Sequence, residues 1–167
     1  MEQHLPKRKP LRLANYDYSQ AGYYFITICT AVRHQNVLST ITPAVGAITN
    51  RPPVQLTLTA WGEFVEQAIG EIPARYPGVL VDSYVIMPDH VHLLLAIQNT
   101  GTDGRQIAAP TPVSRIVQQL KRAVSRAAGC SIWQKSYYDH IIRQFSDLEE
   151  TRRYIANNPL RRKEGNG

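Results

Sequence analysis

The chain has 167 residues, of which 43% are hydrophobic and 19% are charged, and its formal net charge at pH 7 is +6. This length and balance predict one globular domain over residues 1–167 and argue against a disordered chain. No apolar run reaches the length of a membrane span, and the N-terminus lacks a signal-peptide core, so we expect a cytoplasmic protein with no membrane partner. The two cysteines, Cys29 and Cys130, agree with a reducing compartment.

The positive charge is distributed unevenly along the chain. Residues 1–112 carry eight basic and eight acidic side chains, whereas residues 113–167 carry eleven basic and five acidic ones. The excess in the C-terminal third indicates either a polyanionic partner or a solvated basic surface. A basic N-terminal arm, residues 1–14, and a basic tail, residues 160–167, flank the predicted domain.

The first predicted elements are a strand, a long loop and a helix. Tyr23–Thr30 is aromatic and β-branched throughout, which is typical of a central strand. Residues 31–57 are rich in proline and predict a loop with a short hairpin that uses residues 37–38 and 54–56. Thr59 is predicted to cap the helix that follows, because apolar residues then recur at helical spacing.

Residues 84–97 predict a β-hairpin with a tight turn at Pro88-Asp89. Side chains alternate across a strand, so His90 and His92 are expected to project from the same face. Two imidazoles side by side on a rigid strand suit one divalent cation. A bare His-x-His pattern is about as often a pair of ordinary sheet residues, so the pattern alone leaves both interpretations open.

Three further elements follow a polar loop at residues 98–110. Thr111-Pro112 opens a helix with a basic outer face, and residues 131–134 predict a short fourth strand. A capping box at Ser146–Glu149 opens a last helix, which is predicted to close at Asn157–Pro159. The cationic side chains off the buried stripe of the first of these helices are candidates for phosphate contact: Arg115, Lys121, Arg122 and Arg126.

The order strand, helix, strand, strand, helix, strand is that of a ferredoxin-like α+β sandwich. We therefore predict an antiparallel sheet of four or five strands with helices on one face. In this topology His90 and His92 lie on the face where a C-terminal segment can dock.

Several motifs together carry a family resemblance. The stretches MPDHVHLL at residues 87–94 and IWQKSYYDHIIR at residues 132–143 resemble the REP-associated tyrosine transposases, within the HUH single-tyrosine transposase superfamily. Residues 16–30 and the YIANNP motif at residues 154–159 extend the resemblance over most of the chain. Two features depart from the pattern: Asp89 stands where many relatives have asparagine, and the sequence ends soon after the last motif.

The resemblance implies a metal-dependent endonuclease and strand transferase that acts on single-stranded DNA at hairpin-forming repeats. The reaction would proceed through a covalent 5′-phosphotyrosine, with Mg²⁺ or Mn²⁺ as the cofactor. The expected partner is a DNA hairpin, the expected location is the nucleoid, and the protein would act as a monomer or a homodimer. A tyrosine hydroxyl has a pKa near ~10 and is a poor nucleophile while protonated, so the chemistry needs a cation at the scissile phosphate.

Within this chemistry, His90 and His92 are the expected metal ligands. Two imidazoles alone bind a hard cation weakly, so His140 is the candidate third ligand. Tyr137 is the expected nucleophile because it precedes His140 by three residues in the matching motif, whereas Tyr138 is expected to pack or to stack on a base. Two further cationic residues are candidates for phosphate contact: Lys135 and Arg143.

Two other classes of function compete with this interpretation. A non-catalytic DNA- or RNA-binding module could stack bases on the aromatic residues of Tyr23–Phe25. The intact histidine pair with a nearby tyrosine argues against that alternative. A histidine-triad nucleotide hydrolase would need another histidine at position 94, where this sequence has Leu94, so that class is excluded.

Overall fold

The structure is a computed structural model that describes residues 17–44, 54–99 and 111–164. The predicted N-terminal arm and most of the polar loop at residues 98–110 lie outside the described residues. The strands and helices found in the described ranges are β1 (Gly22–Cys29), β2 (Ser39–Pro43), β3 (Val54–Leu58), α1 (Ala60–Gly70), α2 (Ile72–Arg75), β4 (Val79–Ile86), β5 (His90–Ile97), α3 (Val113–Ala128), β6 (Tyr138–Ile142) and α4 (Phe145–Glu164).

Four strands form an antiparallel sheet in the order β4-β5-β1-β6, and β2 pairs with β3 in a separate hairpin. This is the ferredoxin-like order, so the predicted α+β class is confirmed. The predicted strand at residues 131–134 is wrong, because that segment makes only an isolated bridge between Trp133 and Thr30. The hairpin predicted in the proline-rich segment exists, but its first strand is β2 rather than residues 37–38.

The main hydrophobic core lies on one face of the sheet. Ile26 of β1 and Leu93 of β5 are fully buried there, in a cluster that also contains the apolar faces of α1 and α3. Each aliphatic side chain buried in this way contributes about 1.5–3 kcal/mol of transfer free energy. The packing of α1 and α3 on the same face confirms the predicted layering.

The last helix, α4, packs against the opposite face of the sheet. Its Leu148 and Ile155 form a second core cluster with Leu94 of β5 and Ile142 of β6. The predicted end of this helix at Pro159 is wrong, since α4 passes through the proline and takes in the first residues of the predicted tail. Contacts with the sheet on both sides of Pro159 offset the one main-chain hydrogen bond that proline removes. None of the helices in the described ranges has the length and apolar character needed to cross a membrane.

The start of α1 is tied to the segment before β2. The Thr59 hydroxyl accepts a hydrogen bond from the Gly62 N–H at 3.2 Å, which confirms the predicted cap, and donates to the Val37 carbonyl at 2.7 Å. Leu38 is fixed on both sides, because its N–H donates to the Pro88 carbonyl and its own carbonyl accepts from Thr59. A Cβ atom added at Gly62 would lie 2.0 Å from that Leu38 carbonyl oxygen.

We therefore expect Gly62→Ala to destabilise the protein by about 2–4 kcal/mol, since the obstructing atom belongs to hydrogen-bonded backbone. Gly70→Ala in the same helix is the matched control, because nothing lies within 4 Å of an added Cβ there. That change should leave stability unaltered or raise it by up to about 1 kcal/mol. Urea denaturation measures both variants, and equal midpoints would contradict the close packing at Gly62.

Candidate active site

The turn between β4 and β5 sets the position of the histidine pair. The Met87 N–H donates to the His90 carbonyl at 2.8 Å and closes the turn that the sequence predicts. His90 and His92 then project from the face that α4 covers, opposite Val91 and Leu93 in the main core. Their Nε2 atoms lie 3.2 Å apart.

Each histidine is oriented through its other ring nitrogen. His90 Nδ1 lies 2.8 Å from Asp89 Oδ1, and His92 Nδ1 lies 2.9 Å from Thr27 Oγ1. An ionised carboxylate only accepts hydrogen bonds, so His90 carries its proton on Nδ1 and presents a lone pair at Nε2. If the Thr27 hydroxyl accepts in the same way, both Nε2 lone pairs are directed to the space between the rings.

Burial keeps both imidazoles neutral. His92 is 5% exposed, and desolvation, with a smaller contribution from nearby His90, lowers its pKa to about 3. Desolvation also lowers the pKa of His90, although the Asp89 carboxylate acts in the opposite direction. At neutral pH the pair therefore offers uncharged nitrogen donors, the form in which histidine binds metals.

Three donors hold Asp89 in its ionised form. Burial acts to raise the pKa of this carboxyl, but hydrogen bonds from Arg162, the His34 N–H and His90 hold it far below its usual range. The His34 N–H lies 2.9 Å from Oδ2, while Arg162 and His90 both contact Oδ1. Because Arg162 belongs to α4, the carboxylate joins the turn before β5 to the last part of that helix.

The same helix brings a tyrosine to the histidine pair. The Tyr154 hydroxyl lies 3.4 Å from His92 Nε2, and the two rings meet edge to face with centroids 5.2 Å apart. Asn158 and Arg162 follow Tyr154 at intervals of four residues, so all three lie on one stripe of α4. Asn158, which is buried, lies on this stripe between the residues that contact His92 and Asp89.

The donors around this point fit a divalent cation. The two imidazole nitrogens lie close enough together to share one cation, and the carboxamide of Asn158, on the same stripe of α4 as Tyr154, is a candidate oxygen donor. No cluster of three or more His, Cys, Asp or Glu side chains suited to a metal occurs within the described ranges.

The structure places Tyr137, the predicted nucleophile, away from the histidine pair. Tyr137 is 8% exposed and belongs to the main core, on the face of the sheet that carries α1 and α3. The next residue, Tyr138, is the register partner of Thr27 and is 46% exposed on the other face. A tyrosine buried beneath the sheet cannot reach a phosphate held at the histidine pair.

His140, the predicted third metal ligand, also lies apart from the histidine pair. His140 lies on β6, where it is the register partner of Phe25 on β1. Strand β1 lies between β6 and β5, the strand that carries the histidine pair. The Phe25 ring lies 5.1 Å from the His92 ring between centroids, so it separates His140 from the histidine pair. His140 instead lines a hollow beside Tyr154.

The predicted phosphate contacts are scattered rather than gathered at this site. Lys121 has a structural role, because its Nζ donates to the carbonyls of Gln134 and Ser136 at 2.8 Å each and so fixes the loop before β6. Lys135 in that loop and Arg143 after β6 are exposed. The remaining candidates are exposed on α3, in the layer on the far side of the sheet: Arg115, Arg122 and Arg126.

Cationic side chains that do lie near Tyr154 were missed in the sequence. Arg153 and Arg161 line a hollow together with Tyr154, and the Arg161 guanidinium lies 5.4 Å from the centre of the tyrosine ring. The interval of four residues from Arg153 to Asn157 to Arg161 is the signal that could have found this surface. The expectation that the helix closes at Pro159 concealed it.

The fold is a ferredoxin-like sheet that carries a histidine pair on β5, with a tyrosine of α4 beside that pair. The chain belongs to the family of IS200-like transposases, whose profile matches residues 44–158. That range contains both histidines and Tyr154. The resemblance drawn from the sequence motifs is thereby confirmed.

Individual relatives agree with this placement. An uncharacterized protein of Haemophilus influenzae is 32% identical over 170 residues, which cover 92% of this chain and 88% of the relative. A second protein of that organism, provisionally named a REP-associated tyrosine transposase, is 26% identical over 157 residues, covering 89% and 77% of the two chains. A solved REP-associated tyrosine transposase bound to a REP hairpin superposes with a TM-score of 0.64 at 20% identity, covering 90% of this chain and 74% of that chain. Because only 20% of the residues are identical, this superposition shows that the two proteins share a fold.

Proposed function

We propose that the protein cuts and rejoins single-stranded DNA at hairpin-forming repeats, with Tyr154 as the nucleophile. The observation that carries the proposal is the 3.4 Å approach of the Tyr154 hydroxyl to His92, beside two Nε2 atoms that lie 3.2 Å apart. Membership of a transposase family supports DNA as the substrate. The hairpin bound to a structural relative supports a folded repeat as the target.

In the proposed reaction the Tyr154 oxygen attacks the phosphorus of a phosphodiester. A bond forms between phosphorus and the tyrosine oxygen, which loses its proton to solvent, and the bond to the 3′ oxygen breaks. The 3′ oxygen leaves and takes up a proton, while the 5′ phosphate stays on Tyr154. Because one phosphodiester replaces another, attack by a 3′-hydroxyl can reverse the step and rejoin a strand without an external energy source.

The surrounding residues have separate proposed roles. His90, His92 and the carboxamide of Asn158 would hold Mg²⁺ or Mn²⁺, which when bound stabilises the negative charge that develops on the phosphoryl oxygens. Asp89 and Thr27 orient the two imidazoles through their Nδ1 atoms, as outer partners of metal ligands commonly do. Tyr154 approaches the histidines of its own chain, so the proposed site needs no second subunit.

A trapping experiment tests this function. Labelled DNA hairpins with single-stranded flanks are incubated with the protein and Mg²⁺ or Mn²⁺, and the products are separated under denaturing conditions. We expect an adduct that resists denaturation, with the nucleotide located on Tyr154 by mass spectrometry. If hairpin DNA binds but no adduct forms on any substrate, the protein is instead a non-catalytic DNA-binding module.

A salt-bridge clamp determines where α4 holds the tyrosine. Arg152 reaches both carboxylate oxygens of Asp82 on β4, at 2.9 and 2.6 Å, and also contacts Glu149 within the helix. The pairing of β4 with β5 shifts in register between Val81 and Ser83, which is where Asp82 lies. A bulge of this kind re-aims one side chain, and here it serves the contact with α4.

We expect Asp82→Asn to slow adduct formation by about tenfold or more, because displacements of about 1 Å in a reactive group reduce rates by up to ~100-fold. Stability should fall by no more than about 1–3 kcal/mol, since asparagine keeps the volume of the side chain and one oxygen that can accept from Arg152. Arg75→Ala is the control, because it breaks an exposed pair with Glu71 on α2, away from the site. Equal rates in the two variants would contradict a positioning role for the clamp.

A further inference from the structure

A hollow of about 300 Å³ lies beside Tyr154, between the first half of α4 and the edge strand β6. Phe25 and His140, which are register partners on β1 and β6, form its floor. Its wall is a single stripe of α4 with intervals of three and four residues. The side chains of that wall are Asp147, Glu150, Thr151 and Tyr154.

The lining combines flat rings with carboxylates. The rings of Phe25, His140 and Tyr154 offer stacking surfaces for a planar ligand. Ionised Asp147 and Glu150 only accept hydrogen bonds, and they repel a phosphate. The hollow therefore suits a planar, uncharged ligand with N–H donors at its edge, which is the chemistry of an amino-bearing nucleobase.

A second hollow on the other side of Tyr154 has the opposite charge. Arg153 and Arg161 line it with Asn157, and Glu150 lies at the boundary between the two hollows. Arginine side chains suit phosphate oxygens. A strand that crosses α4 can thus place phosphates against the arginines and a base against the carboxylates, with Tyr154 between them.

We propose that the first hollow, the base hollow, binds one unpaired nucleobase beside the phosphate that Tyr154 attacks and selects amino-bearing bases over thymine. Guanine fits best, because its N1–H and its N2 amino group present parallel donors to the two oxygens of one carboxylate. Thymine offers a single N3–H flanked by two carbonyl oxygens, which the carboxylates repel. This inference rests on the proposed function and adds to it a preference for the base beside the cleaved bond.

The test measures binding as well as cleavage. Hairpin oligonucleotides carry guanine, adenine, cytosine, thymine or an abasic site at one flanking position at a time, and their dissociation constants are measured by fluorescence anisotropy. At one position we expect guanine to bind about ten- to hundredfold more tightly than thymine or the abasic site. In the variant with both Asp147→Asn and Glu150→Gln, that ratio should fall towards one.

Glu71→Gln, which changes an exposed acidic residue between α1 and α2, is the control and should keep the full preference. Equal affinities for all bases at every position, or a preference unchanged in the double variant, would overturn the base hollow. Failure of the proposed function has a different outcome, because the base preference would then persist in binding while no covalent adduct forms.

Discussion

Tyr154→Phe is expected to reduce formation of the covalent protein–DNA adduct by at least about 1,000-fold, because removal of a nucleophile eliminates the step that it performs. The change deletes only the hydroxyl that lies 3.4 Å from His92 Nε2 and keeps the ring that packs edge-on against Phe25. Stability and affinity for hairpin DNA should therefore stay close to those of the unaltered protein. Single-turnover assays with denaturing gels, together with thermal melting, measure these effects.

The two neighbouring tyrosines of the β6 region provide matched controls. Tyr138→Phe removes a hydroxyl from an exposed side chain, and Tyr137→Phe removes one from the main core. Both variants should still form the adduct, although the second is expected to be somewhat less stable because its hydroxyl lies in a buried region. A nucleotide found on Tyr137 or Tyr138, or an adduct that persists in Tyr154→Phe, would show that the nucleophile is misassigned.

The position of the histidine pair could be predicted because it depends on local geometry alone. Strand alternation places His90 and His92 on one face, and a tight turn fixes where β5 begins. The tyrosine depends on tertiary structure, since Tyr154 is 62 residues from His92 in sequence and reaches it through a helix packed across the sheet. Proximity in sequence to His140 favoured Tyr137, and only the packing reveals that Tyr137 faces the other way.

The errors in secondary structure have a related cause. The apolar pair Ile132-Trp133 has the composition of a strand, but it is a buried anchor that makes one bridge to Thr30, just after β1. The true edge strand begins with Tyr138-Asp139-His140, whose polar residues reflect a partly exposed edge rather than a loop. In α4 the rule that proline ends a helix was outweighed by tertiary contacts on both sides of Pro159.

His90→Ala and His92→Ala are each expected to reduce adduct formation by at least about 100-fold, and excess EDTA should do the same to the unaltered protein. Each substitution removes one of two nitrogen donors whose Nε2 atoms lie 3.2 Å apart. Asp89→Asn keeps both donors but weakens the hydrogen bond that orients His90, so a smaller loss, of about tenfold, is expected. Rates measured over a range of Mn²⁺ concentrations distinguish weaker metal binding from a slower chemical step.

Metal binding also has a readout that does not depend on cleavage. A ligand that binds only the folded state at 100 times its dissociation constant stabilises that state by about 2.7 kcal/mol, so Mn²⁺ should raise the melting temperature of the unaltered protein. We expect this shift to disappear in His92→Ala and to remain in His140→Ala, because Phe25 separates His140 from the pair. Full activity in EDTA, or an equal Mn²⁺-induced shift in both variants, would mean that the histidine pair is not the metal site.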